Sequence, residues 1–173
     1  LLWRQSPRRL DFEALRDSLL NAAGQLDLSV GGKSVDILAE PEGRNTAACV
    51  AWAALEIERR DPGAAHVVLP SDHHVSDDVA LAGHLRVAVD AAARHPDVVI
   101  LLGLHAASAE TDYGWIEPGG SPLDDPGATL LPIRRFWEKP AAALAQQLMS
   151  RACLWNSFMM VGMVSAFHAL ARE

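Results

Sequence analysis

Short apolar runs alternate with helix-patterned segments through the first part of the chain, and this alternation restricts the fold more than any other feature. Three runs have the Val, Ile, Leu and Ala content of buried strands. They span 35–39, 66–70 and 97–104. Segments 46–59 and 77–94 lie between them and are predicted to be helices. The second places Leu81, Leu85 and Val89 on one face. This order of strands and helices predicts an α/β fold whose parallel sheet is covered on both faces.

The remaining residues add elements before and after this core. Helix 11–23 is predicted with Asp11 as its N-cap and Gly24 as its stop. Further strands are predicted at 113–117, 130–138 and 156–161, and further helices at 141–149 and 165–172. Segment 118–127 is dense in Pro, Gly and Asp and is predicted to be an exposed loop. The 173 residues suffice for one domain but not for two, and the chain stops inside or just after the last predicted helix. Residues 1–173 are therefore predicted to be a single, partial domain.

Charge and composition argue against several classes of protein. The formal net charge of −7 disfavours nucleic-acid binding, which depends on Lys and Arg that neutralise phosphates. No apolar run is long enough to span a bilayer, and no signal-peptide stretch follows the N-terminal arginines. Cys49 and Cys153 are far apart and are predicted to be reduced and packed. The cytoplasm is the expected location, and the sequence leaves a homo-oligomer open.

Two polar segments that follow predicted strands are candidates for binding charged ligands, because ligands gather at the carboxyl ends of parallel strands. Segment 40–47 opens a helix whose free N–H groups suit an anion or a base edge, although it also fits an ordinary capped helix start. Asp72 follows the second strand and suits Mg²⁺, or else a simple turn. Zinc is disfavoured at His73 and His74, because neighbouring residues of an extended segment point to opposite sides and no third ligand is evident.

Three later segments contain groups suited to a sugar phosphate. Gly114 lies between aromatic residues, where it permits close approach of a ligand or marks a bulge in a strand. Glu138 can accept hydrogen bonds from hydroxyls and Lys139 can bind phosphate, or the two form a solvated charge pair. Asn156 offers both a donor and an acceptor to hydroxyls, or else is a buried amide satisfied by the backbone.

The order and spacing of these five segments are more specific than any one of them. In chain order they read Glu40-Pro-Glu-Gly-Arg-Asn-Thr-Ala, Leu69-Pro-Ser-Asp-His, Tyr113-Gly-Trp-Ile, Phe136-Trp-Glu-Lys-Pro and Leu154-Trp-Asn-Ser. Together they resemble the mannose-1-phosphate guanylyltransferase family over about 37–162. The resemblance implies a three-layer α/β/α, Rossmann-like nucleotidyltransferase fold with a mixed, mainly parallel sheet.

The same resemblance implies a reaction and a role for each motif residue. The family transfers a nucleoside monophosphate from a nucleoside triphosphate to a sugar 1-phosphate, with Mg²⁺ as cofactor and release of pyrophosphate. GTP and mannose 1-phosphate are the expected pair, although related enzymes use other bases and sugars. The implied site residues are Glu42, Gly43, Arg44 and Asn45 for the nucleotide, Asp72 for Mg²⁺, Lys139 for the sugar phosphate, and Gly114, Glu138 and Asn156 for the sugar. Asp72 and Lys139 would be the catalytic pair.

The sequence departs from the family in one important way. Neither Gly31-Gly32 nor Gly119-Gly120 continues into the family's Gly-Gly-x-Gly-x-Arg triphosphate loop, and the strand before that loop is also not found. The chain is therefore expected to be catalytic only if a longer native chain supplies the missing parts. The alternative is a non-catalytic sugar-nucleotide-binding or structural relic of the fold. A missing central strand would leave an open sheet edge, so marginal stability or a covering segment or partner is expected.

Overall fold

Four helices and five strands make up the part of the chain that the computed structural model describes, which is residue 42 together with 46–70 and 72–171. The helices are α1 (Thr46–Arg60), α2 (Asp78–Arg94), α3 (Ala142–Ser150) and α4 (Val164–Leu170). The strands are β1 (Ala65–Val68), β2 (Ile100–His105), β3 (Trp115–Pro118), β4 (Ile133–Trp137) and β5 (Leu154–Met163). The predicted helix 11–23 and strand 35–39 lie outside the described residues.

Local interactions explain where α2 begins and where the two long helices end. Asp77 precedes α2, and its carboxylate accepts a hydrogen bond from the Ala80 N–H at 2.8 Å, which satisfies one of the free donors of the first turn. The helix ends at Arg94, two residues before Pro96, whose ring disfavours a helical conformation in the residue before it. Helix α1 ends in the turn at 61–63, where the Asp61 carboxylate accepts from the Gly63 N–H at 3.0 Å.

The observed strand pairing differs from the mainly parallel sheet that the sequence predicts. Strand β5 lies between β1 and β2, because Val161 pairs with Val67 on one side and with Ile100 on the other. Strands β1, β2 and β3 all run antiparallel to β5, and β4 runs antiparallel to β3. The predicted α/β class is confirmed. The mainly parallel pairing is not observed among the described strands, because β5 inserts between the two strands that the helix order makes parallel.

Helices cover both faces of this sheet, as predicted. Val161 packs against α2 together with Ile100 and Leu102, whereas its neighbour Met160 packs against α1 and α4. Neighbouring residues of a strand point to opposite faces, so these two residues belong to opposite layers. The core residues contributed by the helices are Leu85, Ala88 and Ala92 on one face, and Ala54, Val164 and Phe167 on the other. The described part is thus a three-layer α/β/α arrangement.

A third cluster attaches β3 and β4 to the end of the sheet. Trp115 of β3 is fully buried against Ala145 and Leu148 of α3. Its indole N–H donates to the Glu110 carbonyl at 2.9 Å, which satisfies the one polar group of a buried tryptophan. Cys153 belongs to the same cluster, and desolvation raises the pKa of its thiol. Both cysteines are free, but Cys49 is exposed on α1, so the prediction that it is packed was wrong.

The connection between β3 and β4 is irregular, as predicted, but it is held at one carboxylate. Arg94 donates two hydrogen bonds to Asp125, at 2.8 and 2.9 Å, and His95 Nε2 lies 3.0 Å from the same group. The Gly127 N–H also donates to it at 2.8 Å. The Arg94 guanidinium holds the pKa of the Asp125 carboxyl well below its usual range. The predicted exposed loop is therefore anchored to the end of α2, with the Asp125 side chain fully buried.

The length of the helices bears on membrane insertion. Within 46–70 and 72–171, none combines the length and apolar character needed to cross a bilayer.

Candidate functional site

Three of the residues predicted to bind a sugar converge at one point. A Cβ placed on Gly114 would lie 3.2 Å from Glu138 Oε2, 3.5 Å from Asn156 Cβ and 3.7 Å from Asn156 Nδ2. The three residues come from segments that are far apart in the sequence. A glycine is suited to this position, because a side chain there would enter the space in front of the carboxylate and the amide.

The register of the strands explains why these residues meet. Trp115 of β3 pairs with Trp137 of β4 and with Trp155 of β5, and both pairings are antiparallel. In an antiparallel pair, the residue before one partner faces the residue after the other. Gly114 therefore faces Glu138 on one side and Asn156 on the other. The Asn156 N–H donates to the Gly114 carbonyl at 2.8 Å, which fixes this register.

Aromatic residues precede or follow each of these three residues in the chain. The Trp155 ring lies edge-on to Tyr113, with ring centroids 5.1 Å apart, and edge-on to Trp115 at 6.2 Å. The Arg135 guanidinium lies 3.9 Å from the centroid of the Trp137 ring, within the range of a cation–π contact. Tyr113 is half exposed, whereas Trp115, Trp137 and Trp155 belong to the cluster that packs against α3. We call Gly114, Glu138 and Asn156 the three-strand cluster.

Asn156 is held in one orientation by its own strand. Its Oδ1 atom accepts a hydrogen bond from the Phe158 N–H at 3.0 Å. Ser157 is buried, and its hydroxyl donates to the Leu102 carbonyl and accepts from the Met159 N–H at 3.1 Å. Phe158 has a φ of 60°, in the left-handed region that a bulky residue rarely adopts. These contacts were not foreseen. The Asn-Ser pair inside an otherwise apolar strand is the sequence signal that could have indicated them.

Lys139 directly follows Glu138, a member of the three-strand cluster. It is exposed, with a φ of 42°, and it stands between Glu138 and the buried Pro140. Few residues other than glycine are found with such a φ. The left-handed backbone at Lys139 turns the chain sharply between the end of β4 and the start of α3. Its predicted contact with a sugar phosphate stays a prediction.

Asp72 lies beyond the end of β1, in an exposed turn. Residues 160 and 161 of β5 pair with both β1 and β2, and residues 154 and 155 pair with both β2 and β3. Strands β1 and β3 therefore share one edge of β5, at its two ends, and the chain leaving β1 heads toward Gly114. Among the described residues, no group of three or more His, Cys, Asp or Glu is placed to hold a metal. The Mg²⁺ role of Asp72 stays a prediction.

The predicted nucleotide segment is described only in part. Glu42 is exposed, whereas Gly43, Arg44 and Asn45 lie outside the described residues. Helix α1 begins at Thr46, where the sequence predicted a helix start. The nucleotide role of this segment therefore stays a prediction.

Comparison with known proteins finds one family model and several relatives that match most of the chain. The model of the family described as "Nucleotidyl transferase" matches residues 16–173. The xanthan biosynthesis protein XanB of Xanthomonas campestris pv. campestris strain B100 is 40% identical over 147 residues, which is 84% of this chain and 30% of that protein. The mannose-1-phosphate guanylyltransferase of Klebsiella pneumoniae is 35% identical over 127 residues, which is 73% of this chain and 26% of that protein.

A solved structure gives the same result for the fold. The crystal structure of a Thermus thermophilus protein described as a mannose-1-phosphate geranyltransferase matches with a TM-score of 0.69 and 30% identity. The match covers 79% of this chain and 38% of that one. This chain spans about 30% of the length of XanB and 26% of the length of the Klebsiella protein.

Proposed function

Because this chain belongs to the nucleotidyl transferase family, we propose that it functions in nucleotidyl transfer. In this reaction a nucleoside monophosphate passes from a nucleoside triphosphate to a sugar 1-phosphate. GTP and mannose 1-phosphate are the proposed pair, and a nucleotide sugar and pyrophosphate are the products. The observation that supports this is the three-strand cluster, where the carboxylate of Glu138, just after β4, and the amide of Asn156 in β5 both lie beside Gly114, just before β3. Such groups are suited to the hydroxyls of a sugar ring.

In the proposed reaction the protein positions the substrates and forms no covalent bond with them. A phosphate oxygen of the sugar 1-phosphate attacks the α-phosphorus of the triphosphate. One P–O bond forms, the bond to the β-phosphate oxygen breaks, and pyrophosphate leaves with that electron pair. Catalysis of such a transfer rests on alignment and on stabilisation of negative charge. The proposed role of Lys139 is to neutralise the sugar phosphate, and Glu42, Gly43, Arg44 and Asn45 would contact the nucleotide.

Mg²⁺ is proposed as the cofactor, and Asp72 is the residue that would hold it. A hard oxygen ligand fits this ion, which is often bound by one or two carboxylates together with substrate phosphates. When bound, the ion would shield the negative charge of the phosphates. A cytoplasmic location and a homo-oligomeric assembly remain proposals as well.

The first test is a calorimetric titration of the purified chain with GDP-mannose and with GDP, each with and without Mg²⁺. We expect GDP-mannose to bind more tightly than GDP, and we expect Mg²⁺ to strengthen both. The variant Glu138→Gln should reduce the preference for GDP-mannose about tenfold, since a hydrogen bond to a charged carboxylate is replaced by a weaker one to a neutral amide oxygen. Glu117→Gln is the matched control, because it removes the same charge from β3 outside the cluster and should leave both affinities unchanged.

Turnover is tested separately, by release of pyrophosphate from GTP and mannose 1-phosphate. Binding of GDP-mannose with no turnover, both by this chain and by a form to which a Gly-rich triphosphate loop is supplied, would favour the non-catalytic alternative. Equal affinity for GDP and GDP-mannose in the folded protein would contradict the proposed sugar site.

A further inference from the structure

The middle of β5 contains an interruption of the sheet next to the three-strand cluster. On β2, the pairing advances from Leu101 to Gly103, while on β5 it moves from Met160 to Asn156. Strand β5 therefore carries two residues more than its partner over this interval. Such bulges are common beside functional sites, where they change the direction in which a side chain points.

Two side chains accept hydrogen bonds from two backbone N–H groups of the bulge. Asn156 Oδ1 accepts from the Phe158 N–H, and Ser157 Oγ accepts from the Met159 N–H. The Ser157 hydroxyl also donates to the carbonyl of Leu102, which lies at the interruption on β2. Buried backbone groups need such partners, so Ser157 holds both strands at the bulge.

This arrangement determines which end of the Asn156 amide faces the site. A backbone N–H can only donate, so the amide atom bonded to Phe158 must be the oxygen. The other end, Nδ2, is then directed toward Gly114, 3.7 Å from the position of a Cβ on that residue. An Nδ2 group has two N–H donors and no acceptor.

We propose that Ser157 is a positioning residue that fixes Asn156 as a hydrogen-bond donor in the three-strand cluster. The ligand atom that Asn156 recognises is then an acceptor, such as a hydroxyl or ring oxygen of the sugar. This inference rests on the proposed function for the identity of the ligand. The bulge and the orientation of the amide do not depend on that identity.

Three variants separate the parts of this proposal. Ser157→Ala removes the hydroxyl with little change in volume. Asn156→Asp keeps an oxygen for the Phe158 N–H but replaces the donor with an acceptor. Ser150→Ala is the matched control, because the exposed Ser150 hydroxyl donates only to the Gln147 carbonyl within α3.

Two readouts are measured on each variant: amide hydrogen exchange at Phe158 and Met159 by NMR, and calorimetric affinities for GDP-mannose and GDP. In Ser157→Ala, both amides should exchange at least about tenfold faster, and the affinity for GDP-mannose should fall about tenfold with GDP unchanged, as expected for one lost hydrogen bond. In Asn156→Asp, the Phe158 amide should stay protected while the affinity for GDP-mannose falls. Ser150→Ala should match the unmodified chain.

The contrary outcomes are distinct. An unprotected Phe158 amide in the unmodified chain would overturn the proposal itself, whatever binds. A Ser157→Ala chain that keeps its preference for GDP-mannose would overturn the positioning role, and full affinity in Asn156→Asp would overturn the donor assignment. If the unmodified chain binds GDP-mannose no more tightly than GDP, the proposed sugar site fails, and the exchange data alone decide whether Ser157 holds the bulge.

Discussion

Ala152 follows α3 in a backbone conformation that suits glycine better than alanine. Its φ is 55°, and its N–H donates to the Met149 carbonyl at 3.0 Å while the Cys153 N–H donates to the Leu148 carbonyl at 3.0 Å. This is the region where glycine commonly ends a helix. Ala152→Gly should therefore stabilise the protein by about 0.5–1 kcal/mol, since the strain of a Cβ in this conformation exceeds the added entropy of glycine.

The measurement for Ala152→Gly is the thermal midpoint, which should rise by about 2–4 °C for 1 kcal/mol in a chain of this size. Ala93→Gly is the matched control, because Ala93 is exposed in the last turn of α2 and has no positive φ, so glycine there should destabilise the helix by up to about 1 kcal/mol. The two substitutions should move the midpoint in opposite directions. A lower midpoint for Ala152→Gly would contradict the assigned conformation.

Single residues differ in how far the sequence could predict their part in the site. Gly114, Glu138 and Asn156 were chosen from motifs, and the structure brings them together, while their contacts with a sugar stay predictions. Ser157 was missed because its hydroxyl bonds to Leu102, 55 residues away. The Asn-Ser pair marks polar contacts inside an apolar strand, but it does not identify so distant a partner. The same holds for Asp125, whose partner Arg94 is 31 residues distant.

The segment between β3 and β4 is anchored by one charged side chain, that of Asp125. Its Asp125 carboxylate accepts from Arg94, and this contact lowers the pKa of the carboxyl. A lowered pKa in the folded state adds stability above the unfolded value, near 4, and that stability is lost as the pH falls toward the folded pKa. Asp125→Asn should therefore lower the thermal midpoint at pH 7, and the difference from the unmodified chain should shrink at pH 3.

Thermal scans of both chains at the two pH values test this. Asp124→Asn is the control, because it changes the neighbouring exposed carboxylate and should have little effect at either pH. A difference between Asp125→Asn and the unmodified chain that stays the same from pH 7 to pH 3 would show that the anchor does not depend on charge.

The helices and strands were predicted better than their arrangement. Periodicity marked α1, α2 and the strands around them to within a few residues, because local side-chain patterns determine where such elements form. The strand pairing was not predicted. The order of elements along the chain makes β1 and β2 neighbours in the sheet, whereas in the structure β5 lies between them. No pattern within β5 specifies its partners, since burial on both faces gives it the same apolar character whichever strands lie beside it.

At the scale of the whole molecule, stability depends on β5. Val161 is fully buried, and it packs against α2 while its strand pairs with β1 and β2. Val161→Ala should lower the free energy of unfolding by about 1.5–3 kcal/mol, because buried apolar area is lost and a cavity is left. Urea unfolding followed by circular dichroism measures this. Val79→Ala, at an exposed position of α2, should change it by less than about 0.5 kcal/mol.

The position of β5 in the chain also has a consequence for synthesis on the ribosome. Strands β1, β2 and β3 all pair with β5, and all three are translated before it. Each of them therefore leaves the ribosome without its β5 partner and must wait for residues 154–163 to emerge. The nascent chain exposes its strand edges for that interval, and unpaired strand edges of this kind favour aggregation.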